Sequence, residues 1–170
     1  MKANNENSAQ YERGHFPFGD ETRVLDIRYD PVFKAVFTRD TAESRGALSD
    51  LISALIGRTV AVETIAANEP PVDDLRQRYI RFDVACKTEK DELVNVEMSF
   101  NPTAIELVRL EYYAARLFTG QNIHGETKDY CDLKETYQIA ILAKGKFFPD
   151  ENFTHHFLYY DPDTRVSLGG

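Results

Sequence analysis

Asp83 and Glu97 are the residues whose setting invites chemistry. Each lies in a segment where apolar and polar side chains alternate, YIRFDVACK before and LVNVEMSF after the polar run Thr88–Glu92. Period-two alternation predicts two half-buried strands, and the run between them has a length common in hairpin loops. On the first strand Ile80, Phe82, Val84 and Cys86 are expected on one face, with Arg81, Asp83, Ala85 and Lys87 on the other. On the second, Val94, Val96, Met98 and Phe100 are expected toward the core, with Asn95, Glu97 and Ser99 opposite. Antiparallel partners keep a constant index sum. If Lys87 stands opposite Leu93, Ala85 faces Asn95 and Asp83 faces Glu97, with Cβ atoms about 5 Å apart.

Like charges opposed across a hairpin destabilise it, so something must offset this pair. A shared proton would do so, as would a neighbouring Arg or Lys. A divalent cation would too, because Mg²⁺ is typically held by one or two carboxylates together with waters and substrate phosphates. Two solvated acids on a sheet's outer face account for the same spacing, and spacing alone leaves these readings open.

The rest of the chain supplies the elements that hold the pair. At 170 residues it is long enough for one domain with a real core. The expectation is a flexible arm over residues 1–20 and a single domain over 21–170, short at its C-terminus. The arm is polar, with only Tyr11, Phe16 and Phe18 to anchor it. Asp30-Pro31 reads as an N-cap acid with a first-turn proline, followed by Phe33, Val36 and Phe37 at helical spacing. A second helix is predicted over Ala42–Ile56 from the stripe Leu48, Leu51, Ile52, Leu55 and Ile56, with Gly57 as its C-cap. Val60–Ile65 reads as a strand, ended by the breaker Asn68–Pro71.

After the hairpin, Asn101-Pro102-Thr103 opens a helix over Ala104–Phe118. At about 100° per residue, Glu106, Arg109, Tyr113 and Arg116 form one polar stripe, and apart from Glu111 most of the remaining circumference is apolar. Such a helix is expected to be mostly buried and to show one functional or solvated edge. Thr136–Ala143 reads as a strand covered on both faces, and Phe153–Tyr160 as a last, aromatic strand.

The formal net charge of −8 argues against a general electrostatic grip on nucleic acid and leaves room for a local basic groove. Cys86 and Cys131 lack metal-ligand spacing and suit a reduced, intracellular chain better than a disulfide scaffold. With no signal peptide, and no apolar run near the roughly 18 residues of a membrane span, no membrane partner is expected and the cytoplasm is the default location.

The pieces DPVFKAVF at Asp30, LSDLISALIG at Leu48, RFDVACK around Asp83, LVNVEMS around Glu97, VRLEYYAARLF around Arg109 and DLKETYQIAIL after it have a familiar order and spacing. Over most of Asp26 to Tyr160 the chain resembles the PD-(D/E)XK nuclease family transposases, also called recombination-promoting nucleases. The resemblance implies a mixed α/β (α+β) fold with a restriction-endonuclease-like core, a central mixed sheet of about five strands flanked by helices. It implies a DNA endonuclease dependent on Mg²⁺ or Mn²⁺, with Asp83 and Glu97 as the metal-binding acids and the Met98 carbonyl as a further ligand. A metal so held lowers the pKa of a bound water and neutralises charge developing on the phosphate.

The third motif position, two after Glu97, is usually Lys in the wider superfamily and Gln in the transposase-like members. Here it is Ser99, which can hydrogen-bond a water but supplies no cation. Arg109 and Lys87 are candidate phosphate ligands. Arg109 suits equally well a charge partner for Glu106 at helical spacing, or for the two acids themselves. Lys34 and Lys134 read as solvated surface. DNA is the implied partner, and homodimerisation is left open.

Other constellations fail. His155 and His156, adjacent on an expected strand, would point to opposite faces and could not share a metal. No Gly-rich phosphate loop, Ser elbow or CxxC pair is present. Two functions remain. The retained Asp83–Glu97 pair favours a metal-dependent endonuclease. Ser99, the acidic net charge and the short C-terminus favour a catalytically degenerate nuclease-fold domain acting in binding or assembly.

Overall fold

A computed structural model describes residues 25–66, 81–123 and 128–167. The expectations for the first 20 residues, for the breaker at Asn68–Pro71 and for the hairpin's beginning at Tyr79–Ile80 lie outside the described residues.

Helix α1 (Asp30–Phe37) begins one residue earlier than its proline suggests: Tyr29 is the N-cap and Asp30 stands inside the first turn. Pro31 fits there because its fixed φ suits the helix and a first-turn N–H has no partner to lose. Helix α2 (Ala42–Ile56) is capped by the Thr41 side chain, which accepts from the N–H of Ser44, and ends at Gly57 in the left-handed region at φ 81°. That conformation is cheap only for glycine.

Strands β1 (Val62–Ile65), β2 (Val84–Thr88) and β3 (Leu93–Ser99), helix α3 (Ala104–Thr119) and strand β4 (Thr136–Leu142) follow. The sheet runs β1-β2-β3-β4, antiparallel except for the parallel pair β3–β4. Between β2 and β3, Lys87 pairs with Leu93, Ala85 with Asn95 and Val84 with Val96, the register expected from the alternation.

The sheet carries a core on each face. On one, Phe33 and Phe37 of α1 and Leu48 and Ile52 of α2 pack against Val84, Cys86, Val94, Val96 and Met98. On the other, Tyr113 and Leu117 of α3 pack against Ala85 and Phe82. Cys86 lies inside the first core, where burial pushes its thiol up to about 12, and Cys131 is exposed; both are free thiols. No helix among the described residues is long and apolar enough to cross a membrane.

Three expectations are corrected. Among the described residues the sheet has four strands rather than about five, because residues 153–160 form no strand and only Tyr160 makes an isolated bridge, to Ser167. Two of the aromatic rings there find partners in a loop cluster instead, Phe148 lying against His155 and Phe157. Phe82 does not share a face with Val84. β2 starts only at Val84, and Phe82 turns to the α3 side, edge-on to Tyr113 at 5.7 Å.

Finally, α3 is less buried than expected: of its residues only Tyr113 and Leu117 are buried. Its polar stripe faces the sheet, with Tyr113 buried and Glu106 mostly covered, while Ile105, Val108 and Tyr112 are exposed. The sheet face it covers carries Asn95 and Glu97 beside Ala85, so polar side chains meet there alongside the apolar cluster.

Candidate active site

Asp83 and Glu97 come together where β2 frays from β3. The pairing of Thr88 with Glu92, Thr88 N–H donating to the Glu92 carbonyl, sets the even-numbered residues as the hydrogen-bonded pairs of this hairpin. One step beyond Val84–Val96, the N–H of Met98 would meet the carbonyl of Phe82. Phe82 has turned away, and the Oδ2 of Asp83 accepts the Met98 N–H instead, at 3.0 Å. In return the N–H of Asp83 donates to Glu97 Oε1, also at 3.0 Å. Because a residue's N–H and C=O leave a strand on the same side, the Met98 carbonyl points toward Asp83 as well.

Glu97 is not a solvated acid. It is 2% exposed and lies beneath α3, beside Asn95, which is fully buried. The Asn95 side-chain NH₂ donates to Glu97 Oε1 at 3.0 Å and to Gln138 Oε1 of β4 at 2.9 Å, a polar chain running across two strands. Burial pushes the Glu97 carboxyl up to about 7, and the neighbouring charge of Asp83 adds to the rise. Hydrogen bonds from Asn95 and from the Asp83 main chain, with the charge of Arg109, pull it back in part.

Two cations reach the pair, one from each face of the sheet. Lys34 of α1 places Nζ 2.9 Å from Asp83 Oδ1 and 2.7 Å from Asp30 Oδ1. Burial works against its charge, but its bonds to Asp30 and Asp83 outweigh that and raise its pKa. Arg109 of α3 has Nη2 3.9 Å from Glu97 Oε2, pairs closely with Glu106, and lies over the Tyr113 ring at 5.2 Å. Its expected bond to Glu106 and its expected approach to the acids therefore coexist.

Ser99 lies two residues beyond Glu97 on β3, with its carbonyl accepting from the N–H of Ala143. Lys87 is not brought to the acids. It pairs with Asp91 at the hairpin end, four residues along the strand from Asp83, or about 13 Å.

Lys34, expected as solvated surface, is instead bonded to Asp83, and Asn95 and Gln138 were not singled out by sequence. Asp30 and Lys34 stand at helical i,i+4 spacing, and Asn95 shares a strand face with Glu97. Those local signals exist, but the contacts that give them meaning are between elements.

The donor set suits a hard divalent ion. Among the described residues no three His, Cys, Asp or Glu side chains form a cage, but one or two carboxylates with waters and phosphate is the usual complement for Mg²⁺. One oxygen of each acid is engaged by a main-chain N–H. The others, Asp83 Oδ1 and Glu97 Oε2, are the two that face Lys34 and Arg109. A buried carboxyl whose proton affinity rises in this setting is one that a cation would stabilise. Asp83, Glu97 and the Met98 carbonyl are therefore a fitting set of oxygen ligands.

A family model described as PD-(D/E)XK nuclease family transposase matches residues 27–169. Neither a curated protein nor a solved structure matches the chain.

Proposed function

The chain belongs to the PD-(D/E)XK nuclease family transposases, and on that premise we propose that it is a metal-dependent endonuclease hydrolysing phosphodiester bonds in DNA. One observation carries the reading: Asp83 and Glu97 are clasped to each other's main chain at the frayed end of β2, with cations approaching from both faces. Asp83, Glu97 and the Met98 carbonyl would hold Mg²⁺ or Mn²⁺. The ion, when bound, supplies a water of lowered pKa and neutralises charge on the phosphate oxygens.

The chain's own residues do the rest. Glu97 gives up its proton to become a ligand, and the burial that raises its pKa makes the ionised form seek a positive partner. Arg109, oriented by Glu106 and stacked on Tyr113, offers its guanidinium to a phosphate oxygen beside Glu97. Lys87, farther along β2, takes a flanking phosphate. Ser99 holds a water by its hydroxyl but adds no charge.

The second reading, a nuclease fold retained for binding or assembly, is favoured by that same Ser99. Incubating purified protein with supercoiled plasmid and Mg²⁺ or Mn²⁺ distinguishes the two. Nicking that disappears in Glu97→Ala supports the endonuclease. No nicking with either ion, by the wild type or by Ser99→Lys, overturns it in favour of the binding domain.

A further inference from the structure

We propose that Lys34 is the phosphate-contacting cation of this site, supplying from helix α1 the positive charge that Ser99 on β3 does not carry. The inference rests on the endonuclease reading and adds to it a residue from a different element.

Lys34 is held in place by its helix, not by chance proximity. Phe33 and Phe37, on either side of it in sequence, are 1% and 5% exposed and lock α1 onto the first core. The start of the helix is pinned where β3 ends, because the ring of its N-cap residue Tyr29 stacks on Phe100 at 5.2 Å. Phe100 directly follows Ser99, so one end of α1 is fixed beside the strand position where the motif's cation is missing. From this fixed helix the Lys34 ammonium reaches the one Asp83 oxygen that the Met98 N–H does not occupy.

Asp30 makes the arrangement more than a simple clasp. The ammonium is shared between Asp30 at 2.7 Å and Asp83 at 2.9 Å, and the side chain is about one-third exposed. If an ion takes Asp83 Oδ1, Asp30 still holds Lys34 one turn away, its remaining N–H groups free to meet a phosphate oxygen approaching the acids. A lysine serves such a role as a compact, mobile point charge.

The test compares Lys34→Gln, Lys34→Arg and the double variant Lys34→Gln/Ser99→Lys. Two quantities are read: plasmid nicking with Mn²⁺, and binding of a short fluorescein-labelled DNA duplex over a range of salt, in a Glu97→Ala background that cannot cut. The expectation is that Lys34→Gln lowers nicking by about 10²-fold or more. Lys34→Arg should keep part of the activity, and Ser99→Lys should restore at least about tenfold to Lys34→Gln. The salt slope of binding should fall by about one for Lys34→Gln, the signature of one lost phosphate contact.

Nicking by Lys34→Gln within about threefold of wild type overturns the proposal. So does an inactive Lys34→Gln that Ser99→Lys does not rescue and whose melting temperature has dropped, since Lys34 would then only hold Asp83 in place. If the wild type cuts with neither ion, it is the endonuclease reading that fails. Lys34 is then judged by binding alone, and an unchanged salt slope rejects it.

Discussion

Asp83 and Glu97 are hydrogen-bonded through each other's strand: the N–H of Asp83 donates to Glu97 Oε1, and Asp83 Oδ2 accepts from the N–H of Met98, the residue after Glu97. The two acids are thereby clasped by neutral main-chain donors, while Lys34 beside Asp83 and Arg109 near Glu97 offset their charge. The arrangement depends on β2 losing its ladder at Phe82, which frees the Met98 N–H for a side chain. Burial of Glu97, with the neighbouring charge of Asp83 adding to it, raises its proton affinity and gives the site a pH dependence.

With its carboxyl pushed up to about 7 against an ordinary 4.5, Glu97 keeps its proton in the fold at pH values where it is ionised in the unfolded chain. The folded state then binds more protons, so its stability falls as pH rises. In metal-free protein the contribution is whole below about pH 4.5, is lost progressively up to about 7, and is absent above. Glu97→Gln keeps Oε1 for the Asp83 and Asn95 donors and cannot ionise. It should match the wild type in acid and exceed it by on the order of 3 kcal/mol near pH 8. Urea denaturation at both pH values checks this, and an equal difference at both rejects it.

Ion binding should release that proton. Between about pH 6 and 7 much of Glu97 is protonated, and a carboxylate ligand must be ionised. Calorimetric titration with Mn²⁺ in two buffers of different ionisation enthalpy should therefore show proton release that fades toward pH 8. The melting temperature should rise in millimolar Mn²⁺ by mass action, and Asp83→Asn should abolish the rise. A melt that Mn²⁺ does not move would mean that the pair holds no ion.

Asn95 should matter for the charge state of Glu97 as well as for packing. Its NH₂ joins Glu97 to Gln138, while its Oδ1 is buried with no hydrogen-bond partner among the described residues. Asn95→Leu removes a bond that lowers the Glu97 pKa, so that pKa should rise further. The loss of stability should be about 1–3 kcal/mol where Glu97 is ionised, and smaller in acid where it is neutral. Chemical denaturation across pH measures it. A variant as stable as wild type near pH 8 would show that Asp83's N–H alone suffices for Glu97.

What could be read from sequence was whatever depends on local periodicity. The β2–β3 register followed from alternation on both sides of a polar loop, and α2 from its apolar stripe and Gly57. Phe82 was misread because alternation assigns faces only while the ladder holds, and the ladder ends at Val84. How much of α3 is buried was misread for a different reason. A polar stripe shows that one helix face differs, but it is turned inward when the sheet beneath carries Asn95 and Glu97. Lys34 was left on the surface because only its Asp30 partner is local; Asp83, its second, arrives from another element.

The last prediction concerns Ser99. The wild type should nick DNA weakly with Mn²⁺ and little with Mg²⁺, and Glu97→Ala should remove the activity, excluding a contaminating nuclease. Positioning and proton-transfer groups contribute roughly 10²–10⁴-fold each, so Ser99→Gln or Ser99→Lys should raise the nicking rate about tenfold or more if the motif position is simply deficient. Lys34 sharpens the expectation. If it already supplies the positive charge, Ser99→Lys gains little in the wild type and much in Lys34→Gln, because two residues serving one role are not additive. Ser99→Gln, which adds reach without charge, should then help the wild type more than Ser99→Lys does. Initial nicking rates of these variants under one Mn²⁺ concentration decide the matter. Full wild-type activity with Mg²⁺, unimproved by either Ser99 variant, would show that serine at this position is no handicap.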